Sequence, residues 1–536
     1  MKLALTFFFA LLFAPLAPMQ AAPSPDSHIV IASEAGAKLD SDVTKGGGTD
    51  DTALIQSILD LAPELGSLKL VVDGPILVKG LKVHSNTTIE CLTSDCGFFL
   101  ADHVDQPIIR NADPSLIERK NHNIAFLGGS YNGNGAKQAH DVPGRGWVTG
   151  FALFGVEQVT FRDVTITNAT TFAVHMTNWE RAVFENIDLD NYTKEPKRQH
   201  QCGVQVSGPG RFLSMRNIRG ETQDDFIALN ADDGHVDWNQ AGEFVRNDSF
   251  GPYASFGPIT DVDIDGVQID GAENAIRILS RQSRVDRVSI RNVQGHFSKY
   301  GFFLQPHWRS GGDFGRITFE NIDMRPLKPD YGPLPFVFFL AGHFEQLTLR
   351  NIHSQMPVDS RPVIWVQPHA VIDVLSVEGM QIYQKDPHSA KAPVIQVDGQ
   401  VDLLAVRDVT LYRAKEVPID GALIRTDPDK TKLKNYLRVG TSQTKPHPTN
   451  YGKVPLDSRG WPGAQASLEI IPKINRLHLS NITANRIKSV LQHDIGDIGH
   501  LQFDNVMTTD VPNPISVGGD AKIRENMSAT KNENRP

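Results

Sequence analysis

The sequence predicts an all-β chain folded as a right-handed parallel β-helix, a solenoid with a short N-terminal capping helix. Three observations carry this prediction: a four-residue phrase recurs along the chain, short alternating β-branched runs lie between its copies, and helical periodicity is nearly absent after residue 62. A solenoid of short strands buries one face of each coil against the next coil, so many coils are stable together where one alone is not.

The recurring phrase is an apolar residue, usually a charged residue, then Asn, Asp or Gly, and then Ile or Val. Its copies begin at Phe161, Phe184, Met215, Ile264, Ile290, Phe319, Leu349, Val406, Leu479 and Phe503. Most copies are roughly 23 to 31 residues apart, which indicates stacked units and is shorter than a propeller blade. Because Asn tolerates left-handed backbone geometry, it suits a turn, and stacked copies would form a ladder.

The spacing and composition also predict where the solenoid begins and ends. We predict a signal peptide over residues 1–22, an N-terminal segment with the cap helix over 23–62, the β-helix over 63–512 and a flexible C-terminal tail over 513–536. A long excursion is expected around 412–472, because the interval between Val409 and Leu479 is too long for one coil.

A helix is predicted just before the solenoid. Apolar residues recur at helical spacing after Thr52, and Thr49 or Asp50 is expected to cap the first turn. An amphipathic helix here would cover the open end of the solenoid, which otherwise exposes unpaired strand edges.

The first residues predict export. Lys2 precedes the apolar stretch Leu3–Leu16, which ends in prolines and the small residues before Pro23. This order is typical of a secretory signal peptide, so we expect a secreted or periplasmic protein. The stretch is too short to cross about 30 Å of hydrocarbon, so no membrane span is expected.

Charge and cysteine usage limit the kinds of partner and bound group that the protein is expected to have. The net charge of −9 argues against nucleic acid, because a basic surface is needed to neutralise phosphates. Cys91 and Cys96 are close enough to pair across a turn, which leaves Cys202 over. No spacing resembles a zinc site, and we predict neither a metal nor a cofactor.

Two parts of the sequence resemble known families. Gly47–Ala53 followed by a short helix resembles the N-terminal start of many pectin-lyase-like β-helix proteins. Gln223–Asn230 resembles the Asp-Asp motif of the polygalacturonase-like glycoside hydrolases of family 28, and Ala275–Ile278 resembles their Arg-Ile-Lys segment in the next coil. The loose resemblance covers residues 40–510 and the specific one residues 200–310.

The resemblance has departures. His200–Gly203 stands where the family has Asn-Thr-Asp-Gly, so Cys202 replaces its third carboxylate. The Gly-His-Gly motif is missing, and Leu279 stands where a lysine is expected. We interpret Cys202 as a buried packing residue rather than a nucleophile.

Stacking identifies a candidate site independently of the family. Equivalent residues of neighbouring coils lie about 4.8 Å apart. The predicted columns read Cys202, Asp225, Asn274, Tyr300; then Gln201, Asp224, Glu273, Lys299; then His175, Gln205, Ala228, Arg277, Phe303; and finally Asp232, Arg281, His307. Polar and ionisable side chains therefore gather on one face of about four coils.

The carboxylates of this face are the predicted catalytic residues. Asp224, Asp225 and Glu273 are expected to be neighbours, and like charges so placed raise at least one pKa. Glycoside hydrolysis needs such a protonated carboxyl beside an ionised one. The resemblance implies that Asp224 is the general acid and Asp225 the base that activates water, with inversion if the two carboxyls are well apart. The two roles could be exchanged, or Glu273 could take one of them.

A wider set is predicted to bind a polysaccharide or oligosaccharide substrate. Its members are Arg277, Gln205, Asn230, Lys299, Tyr300, Arg281, His307 and Trp308. Aromatic rings, with Phe303 among them, stack on sugars, and arginines hold carboxylate or sulfate groups. The alternatives are structural: Arg277 forms a salt bridge to Asp225 or Glu273, and Asp232 and Asp233 only hold a turn.

Two other functions compete with hydrolysis. A β-eliminating lyase or a uronate epimerase would use Arg277, Arg281 or Lys299 as a base, often with calcium to neutralise the substrate carboxylate. A non-catalytic carbohydrate-binding β-helix would account for the missing third carboxylate. The sequence favours a polysaccharide hydrolase, with an acidic polysaccharide as the expected substrate class.

Overall fold

The computed structural model describes residues 28–193, 200–233, 236–238, 244–246, 248–305, 312–327, 335–355, 361–368, 370–426 and 472–529. The expected signal peptide lies outside these residues. Two helices, Thr52–Leu59 (α1) and Ala62–Leu65 (α2), and three 3-10 turns, Gly135–Lys137, Asp248–Phe250 and Pro387–Ser389, accompany the strands. No helix in the described ranges is long and apolar enough to cross a membrane.

The first half of the described chain contains sixteen strands. They are His28–Ile31 (β1), Leu68–Val72 (β2), Pro75–Val78 (β3), Leu81–Val83 (β4), Thr87–Cys91 (β5), Gly97–Leu100 (β6), Ile109–Asn111 (β7), Asn121–Leu127 (β8), Ser130–Asn132 (β9), Asp141–Val142 (β10), Gly146–Trp147 (β11), Phe151–Arg162 (β12), Thr165–Thr167 (β13), Val174–Asn191 (β14), Val204–Thr222 (β15) and Asp225–Asn230 (β16).

The second half of the described chain continues the series. Its strands are Val236–Trp238 (β17), Phe244–Arg246 (β18), Ile259–Gly271 (β19), Asn274–Leu279 (β20), Val285–Phe297 (β21), Tyr300–Leu304 (β22), Asp313–Pro326 (β23), Phe336–Leu340 (β24), His343–Gln355 (β25), Ile364–Val366 (β26), Val371–Glu378 (β27), Gln381–Gln384 (β28), Ile395–Val397 (β29), Gln400–Arg413 (β30), Ala422–Arg425 (β31), Lys473–Asn485 (β32), Ser489–Thr509 (β33) and Ile515–Ala529 (β34).

Thirty of these strands form one parallel sheet wound into coils, which confirms the predicted right-handed parallel β-helix. A typical coil has a short strand on one face and a longer, bent strand around the others. The short β20 pairs with β16 and β22, while the long β21 pairs with β19 and β23. Two antiparallel hairpins, β10–β11 and β17–β18, stand apart from this sheet.

The recurring phrase marks a corner of each coil. Its third residue has a positive φ, as at Asn217 (+54°), Asn292 (+55°) and Asn321 (+56°), and glycine fills the position at Gly266 (+77°). Successive amides bond to each other, with Asn321 Nδ2 donating to Asn292 Oδ1 at 3.0 Å. We call this stack the corner ladder. It confirms the predicted ladder. Asn suits this position because it adopts left-handed geometry at low cost and its side-chain amide bonds to the amide of the next coil.

The residues on either side of each corner point inward and form the core. Phe161 and Phe184 stack with ring centroids 4.9 Å apart, and Phe302 stacks on Phe338 at 4.8 Å. Each such buried side chain contributes roughly 1.5–3 kcal/mol by leaving water. Because coils repeat the same inward positions, the core runs the length of the solenoid.

The predicted cap helix is present as α1, which buries Ile55, Ile58 and Leu59 against the first coil. The predicted cap residue is wrong by one position: the N-cap is Asp51, whose side chain makes no capping bond. Asp50 instead accepts the N–H of Thr52 at 3.0 Å.

The solenoid extends further than predicted at three places, the first being β1, which pairs with β2 inside the expected N-terminal segment 23–62. β31 pairs with β29 and β33, so the first part of the expected excursion around 412–472 belongs to a coil, while residues 427–471 lie outside the described chain. β34 pairs with β33, so residues 515–529 form a strand where the tail over 513–536 was expected. The polar composition misled the prediction, because an outermost coil needs fewer apolar residues.

The expected disulfide is not formed. Cys91 and Cys96 are both buried free thiols, as is Cys202. The Cys91 thiol contacts the hydroxyl of Tyr131 at 3.8 Å, whereas the Cys96 thiol contacts the hydroxyl of Thr93 at 3.2 Å. The two sulfur atoms thus have different neighbours, and spacing along the chain did not place them together.

Candidate active site

The strand register confirms the predicted column Asp225, Asn274 and Tyr300 on the short-strand face. Val204 pairs with Ile227 and Asp225 pairs with Asn274, which in turn pairs with Tyr300. The third column is also continuous, and we call it the outer column: His175, Gln205, Ala228, Arg277, Phe303, Phe339 and Trp365.

Asp224 and Asp225 are held together at the start of β16 by one amide. Asn274 Nδ2 donates to Asp225 Oδ1 at 2.7 Å and to Asp224 Oδ1 at 3.1 Å. These two oxygens therefore lie no farther apart than the sum of those distances. The main chain fixes the pair from the neighbouring coil, because Asp224 N–H donates to the carbonyl of Gln201 at 3.2 Å.

The two carboxyls have different surroundings, which favour different protonation states. Burial and the charge of Asp225 together raise the pKa of Asp224 to about 6, against the opposing charges of Arg277, His200 and Lys299. Asp225 is instead paired with a cation, since Arg277 donates to its Oδ2 at 2.9 Å. One carboxyl is thus prepared to hold a proton near neutral pH while its neighbour is charge-balanced.

Arg277 is clamped from two sides. Its guanidinium bonds to Asp225 and lies 5.0 Å from the ring centroid of Phe303 in the next coil. Burial lowers the pKa of Arg277, but the carboxylates of Asp225 and Asp224 raise it more, so the group is a permanent cation. The salt bridge predicted as the structural alternative is present, and Phe303 supports the guanidinium from beneath.

Glu273 lies beside this pair within a second ion pair. Its carboxylate contacts Lys299 Nζ and accepts from Gln223 Nε2 at 3.2 Å. Tyr300 follows in the next column, partly exposed and 4.6 Å from the ring of Phe303. Glu273, Lys299 and Tyr300 therefore belong to the cluster in which the sequence placed them.

Other predicted substrate ligands are held elsewhere. Asn230 exchanges two hydrogen bonds with the main chain of Asp233, and Arg281 lies buried 3.9 Å from the Asp233 carboxylate. Asp232 accepts three main-chain N–H groups from residues 281–283 and holds a turn. Asn230 ends β16, about 16 Å along the strand from Asp225, and Asp232 follows it in the next turn.

Three predicted ligands remain: Gln205, His307 and Trp308. Gln205 is buried, because its position in the outer column is covered. His307 and Trp308 lie outside the described residues.

Three residues near the pair were missed by the sequence reading. His200 Nδ1 and His140 Nε2 are hydrogen-bonded at 3.1 Å, and the ring of Trp147 stacks on His200 with centroids 4.5 Å apart. Burial lowers the pKa of His200, although the charge of Asp224 opposes this. The stacking argument could have found His200, which precedes Gln201 in the chain and so stands beside its column. No periodic signal points to His140 or Trp147, which flank a hairpin.

Cys202 lies behind the carboxylates. Its side chain is buried, and burial together with the charges of Asp224 and Asp225 raises its thiol pKa well above the usual value. A thiol in this state is neutral and poorly nucleophilic. This agrees with packing, the role expected for Cys202. In the described part of the chain, no group of three or more His, Cys, Asp or Glu side chains is arranged to hold a metal ion.

Part of the chain, including the candidate site, matches a known family. Residues 113–329, which include the Asp224–Asp225 pair and Arg277, match the sequence model of glycosyl hydrolases family 28. This segment is similar to the family 28 glycoside hydrolases. The match confirms the polygalacturonase-like glycoside hydrolase predicted from the sequence. No curated protein sequence matches the chain.

Solved structures with similar folds have little sequence in common with this chain. The pre-mature gene product 12 of bacteriophage phi29 has a TM-score of 0.52 at 12% identity, over 92% of this chain and 57% of that one. The family 28 exopolygalacturonase of Yersinia enterocolitica has a TM-score of 0.46 at 13% identity, over 93% of this chain and 78% of that one. The first likeness shows the shared β-helix fold.

Proposed function

We propose that this protein is an exported hydrolase that cuts glycosidic bonds of an acidic polysaccharide of the pectin class. Asp224 is the general acid, and Asp225 is its ionised partner. The observation that carries the proposal is the difference between these adjacent carboxyls: burial and the charge of Asp225 raise the pKa of Asp224 to about 6, while Arg277 balances the charge of Asp225. Export follows from the N-terminal apolar stretch.

The proposed reaction moves two protons. Asp224 donates its proton to the glycosidic oxygen as the bond between that oxygen and the anomeric carbon breaks. Asp225 accepts a proton from the water whose oxygen bonds to the anomeric carbon. Asn274 orients both carboxylates through its single amide nitrogen.

Charge supports an acidic substrate. Arg277 and Lys299 bring two cations beside the carboxylates, and Tyr300 offers a partly exposed ring for stacking on a sugar. A uronate carboxylate entering this site would gain charge-assisted hydrogen bonds with them. The substrate-binding roles of Arg277, Lys299 and Tyr300 are part of the proposal.

A retaining route is the second candidate, and the shared Asn274 amide favours it. Inversion was expected only if the carboxyls were well apart, whereas retaining enzymes place them about 5–5.5 Å from each other. The anomeric form of the first product, followed by NMR before mutarotation, distinguishes the two routes.

A panel of polysaccharides tests the proposed function. We expect polygalacturonate to yield new reducing ends without the ultraviolet absorbance of an unsaturated sugar. New absorbance would identify a β-eliminating lyase instead. Binding without either signal would identify a carbohydrate-binding β-helix.

A further inference from the structure

The outer column crosses the candidate site, and most of it is covered. Its side chains point away from the core, yet His175 is only 1% exposed and Gln205 only 3%. On the other side of the site, Phe303 is 6% exposed, and Phe339 and Trp365 are buried as well. The accessible part of the column is confined to Arg277, whose side chain is 16% exposed.

Rings from three separate segments cover the N-terminal side. Phe250, from the turn that follows β18, lies 5.9 Å from His175 and 5.1 Å from Trp147 of the β10–β11 hairpin. Phe172 lies 5.1 Å from His175 and 5.4 Å from Trp147. We call Trp147, Phe172, His200, His140 and Phe250 the aromatic wall.

The backbone brings the segments that carry the aromatic wall close together. Gly146 has φ +82°, and a side chain there would collide with the main chain of Gly251, so the hairpin and the turn after β18 meet at close range. His200 connects this wall to the catalytic pair, because the carbonyl of its neighbour Gln201 accepts the N–H of Asp224.

On the far side of the site, a second set of rings forms the floor of the outer column. Phe303, Phe336, Phe339, Trp365 and Leu279 form an apolar cluster separate from the main core, with Tyr300 packed against it. Trp365 is anchored by its indole N–H, which donates to Asp398 at 2.8 Å. A polysaccharide running along the outer column past His175 would have to displace the aromatic wall.

We infer that the site is a closed-ended pocket that takes the end of a polysaccharide chain, so that short units are released from a terminus rather than by internal cuts. This inference rests on the proposed hydrolase function. The aromatic wall would be the element that determines the mode of cleavage, because it meets the outer column at His175, two coils before Asp224.

Product analysis on polygalacturonate tests the inference. We expect one short product size from the earliest times, with viscosity falling only in proportion to total hydrolysis. Oligomers of intermediate length at early times, together with a steep fall in viscosity, would overturn it.

Binding separates this inference from the proposed function. Asp224→Asn protein is titrated with galacturonate oligomers of increasing length. A pocket predicts that affinity stops increasing after two or three units, whereas affinity that keeps rising with length would indicate an open groove and refute the pocket. The binding result does not depend on whether bonds are cut.

A pair of variants tests the aromatic wall itself. Trp147→Ala should raise the fraction of intermediate-length products several-fold. Tyr383→Ala, which removes an exposed ring on β28 outside the outer column, should leave the product pattern unchanged. An unaltered product pattern in a folded Trp147→Ala variant would show that the wall does not close the site.

Discussion

The corner ladder and the candidate active site are both stacks of polar side chains, repeated once per coil, and they differ in how well their members satisfy each other. In the corner ladder, Asn351 donates to Asn321, and Asn321 donates to Asn292, each at 3.0 Å. At the candidate site, Asn274 Oδ1 and Arg277 Nε are buried without a hydrogen-bond partner in the described part of the chain.

This difference separates a stabilising stack from a reactive one. Identical amides can repeat their bonds indefinitely, so the corner ladder contributes stability and no chemistry. Charged groups placed at the same spacing perturb each other: burial and the like charge of Asp225 raise the pKa of Asp224. Buried polar atoms that lack a partner are costly, and their presence indicates a site shaped for a ligand.

The largest expected effect comes from removing the charges of the site. Asp224→Asn and Asp225→Asn should each reduce turnover by about a thousandfold or more, because no neighbour replaces the proton donor or its partner. Both variants should fold, since an amide keeps the shape of the carboxylate. Steady-state rates and circular dichroism measure the two outcomes, and near-normal turnover would move the chemistry to Glu273.

The pH profile should sharpen the assignment of Asp224 as the acid. Activity should fall about tenfold per pH unit as the pH rises above about 6, because the acid must be protonated. In Asp225→Asn, residual activity should decline from a lower pH, since the charge that raises the Asp224 pKa is gone. If the alkaline limb of the pH profile does not move in Asp225→Asn, Asp224 is not the acid.

The same group should influence stability in a defined window. The folded pKa of Asp224 lies above its usual value of 3.8, so the folded state holds this proton more tightly. Its contribution is full below about pH 4 and is lost as the pH rises through about 6. Asp224→Asn should therefore remove part of the fall in stability across this range, measured by denaturant unfolding at several pH values.

The corner ladder should respond in stability and not in activity. Asn321→Ala should destabilise the protein by about 2 kcal/mol, because the variant loses two amide bonds and places Ala at φ +56°. Asn321→Gly is the matched control, which loses the same bonds without the backbone cost. Equal unfolding for both variants would show that the φ angle contributes little.

The smallest effect is expected at Cys202. Cys202→Ser should cost about 1–2 kcal/mol, since a buried hydroxyl replaces a thiol, and should leave turnover mostly intact. Thiol reagents should react slowly with the native protein because burial and the nearby carboxylates raise the thiol pKa. Abolished turnover in the folded variant would contradict the packing role.

The sequence by itself determined the solenoid, the corner ladder and the register of the columns. These features repeat with the coil, and a period of two along each strand together with one phrase per coil is visible in the order of residues. For the same reason, the repeat alone places Asp224, Asp225, Glu273 and Arg277 close together. The C-terminal end of the solenoid was harder to predict, because the last coil, with β34, has no alternating apolar pattern.

Only the tertiary structure decided how the site is enclosed and which polar residues face it. The hairpin carrying Trp147 and the turn carrying Phe250 are not periodic, and they meet through folded contacts between distant segments. The same contacts bury Gln205 and tie Asn230 into a turn, which column position alone could not distinguish from exposure. A column specifies which residues are neighbours, but whether they contact substrate depends on the loops that cover them.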